Sequence, residues 1–239
     1  METLGIVVIL FLAALCRSTF GFGDALVAMP LLSILVGVRT ATPLVAMMSV
    51  VIAMAILVND WRKVEFRACI PLVVATAMGI PIGVAYLKGV NESIIKAVLG
   101  VLIVAFASYE LIVRRSSRVI SAKWAWPIGV SAGILGGAYN TCGPPVVIFG
   151  RLRHWDATSF RATMQGYFLP TSLLLTIGHG LGGLWNQQLF WNIAVASPAV
   201  VFAIVIGRRL NLRFETERFY RAIYILLALL GTWLLVESI

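Results

Sequence analysis

The chain has 239 residues, of which 60% are hydrophobic and 12% charged, with a mean hydropathy of +0.96 and a formal net charge of +9. A soluble domain is about 45–50% apolar and about 25% charged, so a water-soluble particle of 26.0 kDa cannot hide this much apolar surface. A soluble enzyme, a disordered tail and a disulfide scaffold are excluded, and an all-α polytopic membrane protein is expected.

The positive charge then reads as Lys and Arg gathered in loops on one membrane face, not as a nucleic-acid interface. The three cysteines, Cys16, Cys69 and Cys142, are odd in number and sit in or beside apolar runs, which is no disulfide framework. Leu4 to Leu15 has the apolarity of a signal-peptide core. No basic region precedes it, only Glu2, so it is read as part of the mature protein.

Eight apolar runs follow in order: 4–37, 41–58, 68–87, 94–113, 124–150, 162–181, 189–207 and 219–236. Six are of about the length that crosses ~30 Å of hydrocarbon. The other two, 4–37 and 124–150, are broken near their middles by glycine, proline and polar residues. The first break is Arg17-Ser18-Thr19-Phe20-Gly21-Phe22-Gly23-Asp24 and the second is Gly136-Gly137-Ala138-Tyr139-Asn140-Thr141-Cys142-Gly143-Pro144-Pro145.

Charge decides how the broken runs are threaded. If all eight cross, the Lys and Arg residues divide 7 to 11 between the faces; if 4–37 and 124–150 are re-entrant hairpins, they divide 15 to 3, with Arg17 left inside the membrane. The second split is what the positive-inside rule expects. Six crossings, two hairpins and an external N-terminus in a cell (inner) membrane are therefore expected.

The chain also repeats. Gly23 and Val27 match Gly143 and Val147 at an offset of 120, Ala41-Thr42 matches Ala162-Thr163 at 121, Trp61 and Phe66 match Trp185 and Phe190 at 124, and Glu92 and Lys96 match Glu217 and Arg221 at 125. The ordered drift indicates a duplication, with a first repeat over 1–119 and a second over 120–239. Each repeat is a hairpin plus three crossings, an odd number, so the second is inverted relative to the first. Inverted repeats with broken helices at the centre are a transporter architecture.

The hairpin tips carry the chemistry. Second half-helices starting near Asp24 and Gly143 would aim two N-termini at the midplane, each with unpaired N–H groups and about half a positive charge. Such ends bind anions. Gly21, Gly23, Gly137 and Gly143 allow close backbone approach, while Ser18, Thr19, Asn140 and Thr141 offer hydrogen bonds to an oxyanion. Arg17 costs at least ~2.5–3.5 kcal/mol inside a membrane segment, so it is a substrate-anion ligand, the partner of Asp24, or a side chain that snorkels to an interface. Asp24 reads as an N-cap, as that partner, or as a proton-coupling carboxylate. Gln165 faces the cavity or bonds a neighbouring helix. Cys142 is a small tip residue or a thiol for sulfur substrates. His179 reads as an interfacial residue, and Trp61, Trp124, Trp126, Trp185 and Trp191 as an aromatic belt.

The segment Gly21-Phe22-Gly23-Asp24-Ala25-Leu26-Val27-Ala28-Met29-Pro30-Leu31-Leu32 resembles the first-repeat signature of the sulfite exporter TauE/SafE family, a glycine cluster followed by apolar residues and Pro-x-Leu. Gly136 to Val147 looks like its counterpart in the second half, and the resemblance covers the whole chain. It implies a permease for sulfite, sulfoacetate or other organosulfonates, usually outward. Asp24 departs from the run of three glycines that many members carry. Anion efflux would gain ~2.3 kcal/mol per charge per 100 mV of negative-inside potential, and no Walker-type loop is present for ATP. A small anionic substrate, the lipid bilayer, no cofactor and an open oligomeric state, a homo-oligomer included, complete the expectation. The alternatives are a permease for a small carboxylate or a cation through Asp24, and, remotely, an intramembrane aspartyl protease of Gly-x-Gly-Asp type.

Overall fold

The computed structural model of the chain describes residues 2–112, 119–211 and 217–238. They form ten α-helices: α1 (Glu2–Phe20), α2 (Asp24–Val36), α3 (Val38–Asp60), α4 (Phe66–Gly89), α5 (Glu92–Ile112), α6 (Ala125–Tyr139), α7 (Gly143–Leu152), α8 (Ala157–Leu181), α9 (Gln187–Asn211) and α10 (Glu217–Glu237). Short 3₁₀ turns at Trp61–Lys63 and Ala122–Trp124 lead out of α3 and into α6.

The helices are apolar on both sides, as lipid requires. On α1, Ile6, Leu10, Ala13, Ala14 and Arg17 are buried along one stripe, and Leu4, Val8 and Leu12 are exposed on the opposite one. Ile70, Met78 and Ile82 on α4 and Val201, Phe202 and Val205 on α9 are likewise exposed. In water such a surface would aggregate; against acyl chains it is at rest. The chain is a multi-pass membrane protein.

Four helix pairs make up the framework: α1 with α9, α4 with α6, α3 with α8, and α5 with α10. Along α4 and α6, Leu72 meets Gly129, Thr76 meets Gly133 and Ile80 meets Gly137, so these helices run parallel. Along α1 and α9, Phe11 meets Phe202 and Leu15 meets Gly207, again parallel. α5 and α10 are antiparallel: Phe106 lies against Tyr224, Gly100 against Gly231 and Lys96 beside Glu237. The α4–α6 contact is a small-residue seam. A Cβ at Gly79, Gly83, Gly133 or Gly137 would overlap the facing backbone, which is how glycine lets two membrane helices touch main chain to main chain.

Five helices are long and apolar enough to span a membrane by length and composition: Glu2–Phe20, Val38–Val58, Phe66–Gly89, Glu92–Ile112 and Gln187–Leu210. This set includes α1, which sequence alone assigns to half of a hairpin, because the break falls after residue 20 and leaves a 19-residue helix. It omits α8, where Arg161, Gln165 and several hydroxyl residues dilute the apolarity of a 25-residue helix. The five tryptophans assigned to an aromatic belt are all exposed near helix ends. Of the cations assigned to one face, Arg114, Arg115, Arg118 and Arg213 lie outside the described residues.

Candidate functional site

Two chain reversals face each other at the centre. In the first, the Gly21 N–H closes α1 on the Arg17 carbonyl at 2.7 Å, and Gly21 (φ 87°) and Gly23 (φ 100°) turn the backbone through left-handed conformations into α2. Only glycine takes these angles without strain. In the second, Asn140 adopts φ 53° and its N–H bonds the Gly136 carbonyl at 2.7 Å, an αL cap for α6. α7 begins three residues later, with Pro144 in the first turn and no side chain capping its N-terminus.

One cavity lies between the reversals. Arg17, Gly23, Asp24 and Leu26 line it from the first hairpin, and Asn140, Thr141, Cys142 and Gly143 from the second. Ser49 of α3 and Phe168 and Ser172 of α8 complete the wall. In this conformation the cavity has room for about one water molecule.

Arg17 is held on three sides. Its Nη1 donates to Asp24 Oδ2 at 2.6 Å, and its Nε and Nη2 donate to Gln165 Oε1 at 3.2 and 3.1 Å. Its Cζ stacks 4.6 Å from the Phe168 ring centroid, a cation–π contact strengthened by the absence of water. Gln165 Nε2 donates to the Gly21 carbonyl at 2.5 Å, tying α8 to the first tip. Asp24 Oδ2 also accepts from Ser49 Oγ at 2.5 Å, and Asn140 Nδ2 donates to that same hydroxyl at 3.4 Å. Both hairpins, α3 and α8 are thus joined through one buried ion pair.

This geometry sorts the sequence candidates. Arg17, Gly23, Asp24, Asn140, Thr141, Cys142 and Gly143 reach the cavity wall, and Gln165 stands behind Arg17. Ser18 and Thr19 instead pack toward Gly207 of α9, and the Thr19 hydroxyl bonds back to the Leu15 carbonyl. Gly21 takes part through its carbonyl alone. Asp24 is not an N-cap: Gly23 holds that position, so the Asp24 carboxylate lies at the first helical residue and turns to Arg17. His179, in the last turn of α8, is buried inside the protein, its Nε2 2.9 Å from the Gly137 carbonyl, because α8 packs there against the second hairpin. Gly137 itself packs against α4.

Sequence reasoning missed Ser49, Phe168 and Ser172. A serine or phenylalanine in an apolar helix carries no mark of facing a cavity. The spacing held a signal, however: Ser49 and Ser172 stand 123 residues apart, an offset between those of the sequence matches on either side of them. Ser49 and Ser172 line the cavity from α3 and α8, whereas the positions 120 residues after Arg17 and Asp24 are Gly137 and Pro144.

The sequence matches the family described as "Sulfite exporter TauE/SafE" over residues 6–234. The chain belongs to the TauE/SafE family. A relative in Cupriavidus necator, named "Probable sulfite/organosulfonate exporter TauE", is 22% identical over 250 residues, covering 100% of this chain and 96% of that protein. No solved structure matches. TauE/SafE proteins are transporters, so the protein is a membrane transporter and not an enzyme, and the aspartyl-protease alternative falls away. Among the described residues no cluster of three or more His, Cys, Asp or Glu is arranged to hold a metal ion.

Proposed function

We propose that the protein is a permease that moves sulfite, sulfoacetate or another small organosulfonate out of the cell through the cavity between the two hairpin tips. The observation that carries this reading is the guanidinium of Arg17, buried in the membrane yet exposed to a cavity. Static structure alone does not require an arginine at that place, since a buried ion pair adds little net stability over apolar residues. A guanidinium presents a planar fork of donors to a sulfonate's oxygens. The α7 N-terminus, uncapped by any side chain, adds a partial positive charge from the opposite hairpin.

The helix directions support two inverted repeats. α1 pairs with α9 as α6 pairs with α4, both in parallel, while α5 and α10 pair antiparallel. These relations suit hairpins α1–α2 and α6–α7 that enter from opposite faces, with repeats over 1–119 and 120–239. Rocking of one repeat against the other would open the cavity to each face in turn, and the cramped cavity seen here is then a closed stage of that cycle. The positive-inside rule puts the N-terminus and the 90–91 connection outside.

Purified protein in liposomes loaded with radiolabelled sulfite or ethanesulfonate tests the reading. Efflux above that of empty liposomes is expected, and Arg17→Ala is expected to abolish it. Unchanged efflux in that variant removes Arg17 from the transport path.

A further inference from the structure

We infer that Asp24 is a proton-binding counterion, so that each transported anion crosses together with one proton. The inference rests on the cavity being the transport site, as proposed above. Arg17 and Asp24 are its two charged wall residues, with side chains only 1% and 8% exposed. The empty site is therefore neutral. An oxyanion entering beside an ionised Asp24 would leave one negative charge without a partner in a medium that screens poorly, a costly state. A proton on Asp24 removes that charge and frees the Nη1 edge of Arg17 for the oxyanion.

The hydrogen bonds around the pair divide as this exchange requires. Gln165 Oε1 holds Nε and Nη2, and Phe168 backs the guanidinium, so Arg17 stays in place when Asp24 lets go. Asp24 is bound instead by groups that suit both of its forms. Ser49 Oγ donates to the carboxylate and can accept from the carboxylic acid. The other titratable groups facing Asp24 are the thiols of Cys16 on α1, whose Sγ lies beside Gly23, and Cys142 at the second tip. Neither supplies a positive charge; Arg161 of α8 also lies at the first tip, packed on Gly21 and donating to the Ser18 carbonyl, but it does not line the cavity, and Arg17 is the cation that Asp24 bonds there. The proton is taken from water on the side to which the cavity opens and returned to water on the other side with the anion. A monoanion then crosses without net charge, and the membrane potential neither drives nor opposes it.

Liposomes containing the full chain and ethanesulfonate, whose charge stays at minus one across the working pH range, test this. Potassium and valinomycin set the potential, and a lumenal dye reports pH. Wild-type flux is expected to ignore the imposed potential and to carry one proton per anion in the same direction. Asp24→Asn is expected to give a flux that moves no proton and responds to potential, because its empty site keeps the Arg17 charge. Asp24→Glu is expected to retain proton movement. Wild-type flux that carries one negative charge per anion and no proton overturns the proposal, and so does proton movement that survives in Asp24→Asn. The wild-type charge balance decides alone if the asparagine variant does not fold. Absence of any wild-type sulfonate flux instead overturns the transport-site reading beneath it.

Discussion

Arg17 and Asp24 stand seven residues apart in the chain and 2.6 Å apart in space, on either side of a reversal built from two left-handed glycines. α1 ends with the cation and α2 begins with the anion, so the pair bridges the first hairpin at its tip. Removing one partner leaves a charge stranded in the membrane, whereas removing both leaves none. Arg17→Leu is therefore expected to lower stability by about 3–5 kcal/mol, and Arg17→Leu with Asp24→Leu to recover most of that loss. Thermal unfolding in detergent measures both; equal losses in the single and double variants would show that the pair is not energetically coupled.

Gln165 makes three hydrogen bonds, two from Arg17 and one to the Gly21 carbonyl. Leucine has similar volume and none of this capacity. Gln165→Leu is expected to cost about 2–3 kcal/mol, in the range for losing bonds to a buried charge. Sulfonate flux should fall with it, because the guanidinium loses its anchor. Gln165→Glu would add a second carboxylate beside Arg17 and is expected to weaken anion binding, which a transport KM reports.

The α4–α6 seam has no room for side chains at Gly133, where a Cβ would overlap the Thr76 carbonyl. Gly133→Leu is expected to cost about 3 kcal/mol or more by overpacking and to yield little monodisperse protein on gel filtration. Gly89→Ala serves as the control. A Cβ there meets no atom within 4 Å, and normal yield is expected.

Lys88 is exposed at the end of α4 and Arg153 caps α7. Hairpins entering from opposite faces put these positions on opposite sides of the membrane, whereas eight full crossings put them on the same side. Membrane-impermeant maleimide applied to intact cells is expected to label Lys88→Cys and to spare Arg153→Cys until the cells are opened. Labelling of both from outside would rule out the hairpin threading.

Much of the architecture was legible in the residues because lipid leaves few choices. With no water in the hydrocarbon layer, apolar runs must be helical, and Gly21, Gly23, Asn140 and Gly143 are the residues at which a helix can stop there. α2 starts at Asp24 and α7 at Gly143, the breaks that glycine and proline marked. Arg17 announced itself by its insertion cost. The site's lining was less legible. Ser18 and Thr19 adjoin Arg17 in sequence but lie on the face of α1 toward α9, since successive helical residues point about 100° apart.

Composition and the positions of its breaks thus determined by themselves that this chain is a helical membrane protein with two interrupted segments, one of which carries an arginine and an aspartate. Tertiary packing alone decided that Asp24 turns to Arg17 and leaves the cap to Gly23, that Gln165 and Phe168 brace the guanidinium, that Ser49 and Ser172 join the wall, and that His179 is buried. The physical reason is range. Hydropathy and helix-breaking act within a few residues, whereas Gln165 meets Arg17 across 148 residues of chain, through a contact set by where α8 sits beside the tip of the first hairpin and not by anything beside either residue.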